Sequence, residues 1–473
     1  MTGRGRAAAL ALGALAACAA PGRALREEPD RSRPPPLGPP APLRPPAQQH
    51  FRLSNGLRVR LVEYHRLPVV ALNLVADAGA VHDPPDRPGI AAFTAAMLTE
   101  GTATRSATRI SDELGFVGAH LSAGAGFDSA QLWGASLVRH LPVLLEILAD
   151  VVKSPAFASE DFARVQDRRV VALVQQRDQP GAMAARAFAP LRWGPHPYGH
   201  SLLGTEESLR ATAREELARF HARRWRPGAA ELVAVGDLSR AELEPMLEAA
   251  LGGWRGEAAE PAPAPGPQRP PARTVLLGKP GAPQTYLLLG APGLARSDPD
   301  YEAAEVAFQI LGGGTSSRLF RRLREEKGYT YGMGARMEAR RLGGTSVVGG
   351  SVKADHTGDA LRELLGELAA LRERDVSPGE LRDAQDGIVR GLPGDFATAG
   401  AIASRLGDAA VHGLADDEVA RFAAAVRRVT AADVRRVARE RLDLAHLTAV
   451  LVGDPALVPP QLAGLGLGPL EVR

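Results

Sequence analysis

The chain contains two copies of one unit, and that repeat limits its architecture more than any other feature. The run Leu232-Val-Ala-Val-Gly236-Asp237 returns as Thr448-Ala-Val-Leu-Val-Gly453-Asp454, an offset of 217 residues from Gly236 to Gly453. The same offset carries the amphipathic stretch Leu144–Val152 onto Leu361–Ala369. A Ser-led helix start follows each copy, at Ser159–Phe162 and at Ser377–Leu381. Nearer the front, Met97-Leu98…Gly101 corresponds to Ile310-Leu311…Gly314 at a slightly different offset. Internal repetition on this scale predicts two similar domains, 50–255 and 273–473, joined by the proline-rich linker 256–272. Each copy mixes β-like runs with long helical patterns. The runs are 57–62, 69–75 and 232–235 in the first copy, and 275–277, 286–290 and 346–352 in the second. Strands and helices group rather than alternate strictly, so the expected class is α+β, with mainly antiparallel sheets covered by helices.

The front of the chain is built differently. Arg4 and Arg6 precede an apolar run, Ala7–Ala17, which as a helix would rise only about 16 Å, half of a hydrocarbon core. Residues 1–18 therefore read as a signal peptide rather than a span. Its end, Leu15-Ala16-Ala17-Cys18, is similar to a bacterial lipobox, which makes Cys18 the expected lipidation site and the mature N-terminus. Ala19, rather than Asp, after Cys18 points by similarity to the outer membrane of a Gram-negative-type envelope, facing the periplasm. Residues 19–49 carry ten prolines and read as an extended tether. Because Cys18 is the only cysteine, internal disulfides and cysteine-based zinc sites are excluded. The net charge of +3 gives no basis for a nucleic-acid partner, and 45% hydrophobic with 23% charged residues is ordinary globular composition. Only four basic residues are Lys, an Arg bias that fits a GC-rich coding habit more simply than a binding surface.

Two longer stretches carry a family resemblance. Residues 195–237, from PHPYGHSLLGTEES to the VAVGD run, and residues 311–334, LGGGTSSRLFRRLREEKGYTYGMG, resemble the pitrilysin/insulinase metallopeptidases. The closest likeness is to the short bacterial and mitochondrial-processing type. The resemblance spans nearly all of 51–455 and implies two αβ-roll domains facing each other as half of a clamshell.

The catalytic helix departs from that family. Its active members carry H-x-x-E-H after a Gly-Leu-Ala-like turn. Here the stretch reads GIAAFTAAMLTEGT from Gly89 to Thr102. The two histidine positions hold Ala92 and Ala96, and the glutamate position holds Ala95. Positions i, i+3 and i+4 share one helix face, and a face of three methyl groups can neither ligate a metal nor move a proton. The resemblance places the third ligand near 172–174, which reads Ala-Leu-Val. Asp167 and Asp178 are out of register with it. No metal is expected in this chain.

Other candidates are weaker. His196 and His200 lie four apart, but Pro197 and Gly199 between them argue for a structural turn. His120, His140 and His221 are isolated and read as surface or cap residues. There is no G-x-S-x-G elbow, and no Lys follows Gly312-Gly313-Gly314 in P-loop spacing. The positive signal is Arg324 and Tyr331, seven residues apart across a Gly328 helix stop. In the family, an Arg and a Tyr at this spacing reach substrate at the zinc site. An Arg can bond a carbonyl or oxyanion, and a phenol can donate a second bond. The competing reading pairs Arg324 with Glu325 or Glu326 and leaves Tyr331 as strand filling.

Two functional readings follow from the resemblance. In one, the chain is the non-metal subunit of a heterodimeric zinc metallopeptidase in the cell envelope, held at the membrane by its lipid. A partner of the same family would then carry H-x-x-E-H and the zinc, while Arg324 and Tyr331 would act on a peptide in trans. In the other, it is a proteolytically inactive peptide-binding or scaffold protein of the same fold.

Overall fold

The computed structural model describes residues 31–32, 38, 43–256 and 269–473. The signal peptide with Cys18, most of the tether and most of the 256–272 linker lie outside them. The chain divides into Met1–Pro42 and a body, Leu43–Arg473.

The body holds two six-stranded sheets of the same strand order. The first contains β1 (Gln49–Arg52), β2 (Arg58–Glu63), β3 (Val69–Ala76), β4 (His120–Ala125), β5 (Ala130–Leu137) and β6 (Ala230–Gly236), ordered β1-β2-β6-β3-β5-β4. The second contains β7 (Arg273–Gly278), β8 (Gln284–Gly293), β9 (Thr330–Arg340), β10 (Gly343–Lys353), β11 (Thr448–Gly453) and β12 (Leu470–Val472), ordered β12-β7-β11-β8-β10-β9. Only β2–β6, β7–β11 and β7–β12 are parallel, so both sheets are mainly antiparallel, as expected. The repeated sequence run is the central strand of each sheet, β6 and β11, buried along its whole length because helices cover both faces. The glycine that ends both copies has a steric cause. A Cβ on Gly236 would lie 2.5 Å from the Val69 carbonyl oxygen, and one on Gly453 would lie 2.7 Å from Thr285 Oγ1.

The paired amphipathic stretches are the helices Leu141–Lys153 and Thr357–Glu373, each packed on its own sheet's core. Ser377 caps the helix that follows, accepting from Glu380 N at 3.2 Å. Ser159 differs: it is the first helical residue, and Ala158 holds the cap position.

The opposite face of each sheet is covered by a helix from the other half. Helix Pro180–Trp193 sits on β8 and β11 through Ala184 and Phe188, against Leu288, Val347, Val450 and Val452. Helix Ala399–His412 sits on β3 and β6 through Ile402, Ala403 and Leu406, against Val62, Ala71, Val233 and Val235. Each half therefore depends on the other to bury one face of its sheet, which is why the two copies form one body.

Candidate functional site

The helix Ile90–Met97 begins at Gly89, whose φ of 93° is left-handed. A side chain there would press on Gly204, whose N is 2.7 Å from the Cβ position. Asp83 holds the helix start: its Oδ2 accepts from Gly89 N at 2.6 Å and its Oδ1 from Ala91 N at 3.0 Å. Burial pushes this carboxyl up to about 6, against the pull of the His200 imidazole 3.8 Å away and the two N–H bonds.

Along this helix Ala95 is fully buried and Ala92 and Ala96 are half-buried, so the family's zinc face is three methyl groups in the fold as well as in sequence. A buried cation is bonded to this helix. Arg169, from the helix Ser159–Gln175, is only 9% exposed. Its Nη1 donates to the Ala92 carbonyl at 3.3 Å and its guanidinium lies 5.4 Å from the Phe93 ring centre. Its Nε and Nη2 have no hydrogen-bond partner among the described residues, and burial pulls its pKa down to about 10. At 172–174, Ala172 is half-buried, Leu173 belongs to the core and Val174 is exposed. A zinc ion does not fit a face of three methyl groups, which offers it no lone pair. Among the described residues no group of three or more His, Cys, Asp or Glu is placed to hold a metal.

Arg324 and Tyr331 do come together, each on an irregularity. Arg324 lies in a π-helical turn, Arg321–Glu326, which follows the short helix Arg318–Phe320. Gly328, at φ 66°, ends the turn. Tyr331 sits at a β-bulge: Ser351 pairs with Gly332 but Val352 pairs with Thr330, so Tyr331 has no opposite number on β10. Thr330 Oγ1 fixes the bulge, accepting from Gly332 N at 3.0 Å and donating to the Ser351 carbonyl at 2.5 Å. Simple alternation would place Tyr331 in the core with Met333 and Ala335, which are 4% and 6% exposed. Instead its ring is 84% exposed. Arg324 Nη1 donates to the Tyr331 carbonyl at 2.8 Å, and its guanidinium stacks 4.3 Å from the ring centre. Glu326 is bound by Arg322, so the expected competing pair Arg324–Glu326 does not form.

His196 to His200 form a turn that joins the halves. His196 is buried, its Nδ1 accepting from Tyr198 N at 3.0 Å. Burial, with Arg192 and Arg340 nearby, holds it neutral with a pKa of about 4. The buried Tyr198 hydroxyl donates to Asp128 Oδ1 and accepts from Leu342 N at 3.1 Å. Asp128 Oδ2 accepts from Arg341 N at 2.9 Å, and the Arg341 side chain reaches Asp77 Oδ1 at 2.9 Å. The β9–β10 turn of the second half is thus held by carboxylates and a phenol of the first. His221 corrects its sequence reading: it is buried, donates from Nε2 to the Val152 carbonyl at 3.0 Å, and is held by burial at about 4. His120 is exposed and His140 occupies a cap position, as expected.

Arg169 and the Tyr198 clasp escaped the sequence reading. Asp83 left a faint signal, an acid six residues before the glycine that opens a helix; Arg169 left none beyond a local run of arginines.

Residues 58–205 match the family described as Insulinase (Peptidase family M16), and residues 212–388 match Peptidase M16 inactive domain. An uncharacterised zinc protease of Streptomyces coelicolor is 27% identical over 404 residues, 82% of this chain and 86% of its own. One from Mycobacterium bovis is 26% identical over 427 residues, 89% and 97% of the two chains. Among solved structures, a peptidase M16 inactive domain from Pseudomonas fluorescens superposes with a TM-score of 0.81 at 28% identity, covering 86% of this chain and 98% of that one. A protease from Helicobacter pylori shares the fold, with a TM-score of 0.80 at 18% identity over 86% and 99% of the two chains.

Proposed function

Because the chain belongs to the insulinase, or M16, peptidase family, we propose that it is the non-metal subunit of a heterodimeric zinc peptidase. It presents Arg324 and Tyr331 to a peptide held at the H-x-x-E-H site of a partner of the same family. One observation carries this reading: the metal face is gone, while the Arg/Tyr pair is preassembled and turned outward by a π-turn and a bulge. Both irregularities interrupt regular backbone hydrogen bonding, and such features gather where a side chain must be aimed. In trans, the guanidinium would bond a substrate carbonyl and the phenol would donate to the oxygen that gains charge at the scissile bond. The zinc, the general base and the attacking water would all belong to the partner.

The second reading is a proteolytically inactive peptide-binding or scaffold protein of the same fold, which the loss of the metal face at Ala92, Ala95 and Ala96 equally allows. In both readings the body works in the cell envelope, tethered through lipidated Cys18. The discriminating experiment is affinity purification of the tagged full chain from detergent-solubilised membranes, with identification of co-purifying chains. Stoichiometric recovery of an H-x-x-E-H family member supports the heterodimer; recovery of the chain alone or with unrelated proteins rejects it.

A further inference from the structure

Helix Pro180–Trp193 packs mainly on β8 and β11, and beside it the second sheet opens into a cavity of about 340 Å³ between the halves. Its walls are more apolar than polar, with Leu173, Phe127, Phe188 and Trp193 among them and Gln176, His200 and Ser201 adding polar groups. Its charged lining is three arginines, Arg186, Arg336 and Arg340, against one acid, Glu338. That acid is already shared, accepting from Arg336 Nη2 at 2.6 Å and from Arg340 Nη2 at 3.3 Å. Arg340 lies over Phe127, 3.9 Å from the ring centre, with its Nη1 buried and without a partner among the described residues. Arg186 is exposed and makes no ion pair or hydrogen bond with any described residue. The cavity thus has a formal charge of +2 over mainly apolar walls.

We propose that this cavity recognises a carboxylate carried on an apolar body, and that its ligand is the free C-terminus of a peptide ending in an apolar residue. A guanidinium fork matches a carboxylate in two parallel hydrogen bonds, and the excess of arginine supplies that fork without disturbing Glu338. The apolar walls need a body to fill them, which a bare inorganic anion lacks. The volume is near the lower end of the roughly 300–1,000 Å³ of ligand pockets, which suits a chain end better than a through-running strand. Arg336 lies on the same non-core face of β9 to which the bulge turns Tyr331, about 17 Å along the strand. A peptide anchored by its terminus would pass Tyr331 about five residues upstream. Only the choice of a peptide as ligand rests on the proposed peptidase role.

The test is titration calorimetry of the full mature chain in detergent with three probes: an acetylated hexapeptide ending in a free leucine carboxylate, its C-terminal amide, and 4-phenylbutyrate. The free-acid peptide should bind at least tenfold more tightly than the amide. Arg186→Gln and Arg336→Gln should each erase that difference while leaving the urea midpoint unchanged. Equal binding of acid and amide, unchanged binding in both variants, or no binding of any probe overturns the pocket. Binding of 4-phenylbutyrate as tight as that of the peptide acid overturns the peptide assignment and makes a small acid the ligand. These results are independent of the co-purified partner, so pocket and heterodimer can fail separately.

Discussion

Replacing Tyr198 by Phe removes one oxygen atom from the joint between the halves. The residue is 0% exposed, and the phenylalanine ring would keep its edge-to-face contacts with Trp193, 5.2 Å away, and Phe127, 5.4 Å away. Two bonds disappear. One is donated to the Asp128 carboxylate, a hydrogen bond to a charged group and worth about 1.5–3 kcal/mol. The other satisfies the half-buried Leu342 N, and its loss costs about 1 kcal/mol. Tyr198→Phe should therefore lower unfolding free energy by about 2–4 kcal/mol. Urea unfolding followed by tryptophan fluorescence measures it. Tyr64→Phe is the control: its hydroxyl makes one exposed bond to the Ala397 carbonyl at 2.9 Å, and its loss should cost less than about 1 kcal/mol. A Tyr198→Phe loss below about 1 kcal/mol would refute the view that this clasp joins the halves.

Two further outcomes follow from the same structure, and a third from the sequence of the N-terminal segment. His196 and His221 are neutral when folded, with values of about 4 against 6.5 for the free side chain. Above pH 6.5 neither state is protonated; as pH falls toward 4 the unfolded chain gains protons that the native one refuses, so each histidine should cost up to about 3 kcal/mol of stability, read as a falling urea midpoint. Elemental analysis should find no stoichiometric zinc in the wild-type chain. The triple change Ala92→His, Ala95→Glu, Ala96→His should bind zinc weakly while Arg169 opposes it, and clearly more tightly once Arg169→Glu is added. Cys18→Ala should move the protein from the membrane fraction to the soluble fraction or leave unprocessed precursor; retention after processing to mature size would remove Cys18 as the anchor.

Much of the fold is legible in the sequence because it is written locally. The repeated apolar runs are the strands, since a strand buried on both faces must be apolar along its length, and Gly236 and Gly453 recur because their backbones lie against a neighbour. The exchange of Pro180–Trp193 and Ala399–His412 between sheets is not legible, because an apolar helix stripe shows that a sheet is covered but not which one. At the site, the resemblance to the family points to the lost ligands and to Arg324 and Tyr331. The outward turn of Tyr331 could not be read, because period-2 alternation assigns it to the core and only the pairing of β9 with β10 shows the bulge. Arg169 was hidden for a related reason: a charged residue on a helix reads as solvent-facing until its neighbours are known.

Turnover by the reconstituted pair shows whether Arg324 and Tyr331 act on substrate in trans, as proposed. Tyr331→Phe is the cleanest change, because the ring stays under Arg324 and Arg324 bonds the carbonyl of residue 331 rather than its hydroxyl. With assembly confirmed by gel filtration and zinc content unchanged, loss of that one donor should cost about 2.7–4 kcal/mol in the transition state, roughly a hundred- to a thousandfold in turnover. Arg324→Ala should be similarly slow, and Arg324→Lys should recover only part of the rate, since a point charge lacks the guanidinium fork. Undiminished turnover in both Tyr331→Phe and Arg324→Ala would contradict the claim and leave the scaffold reading in its place.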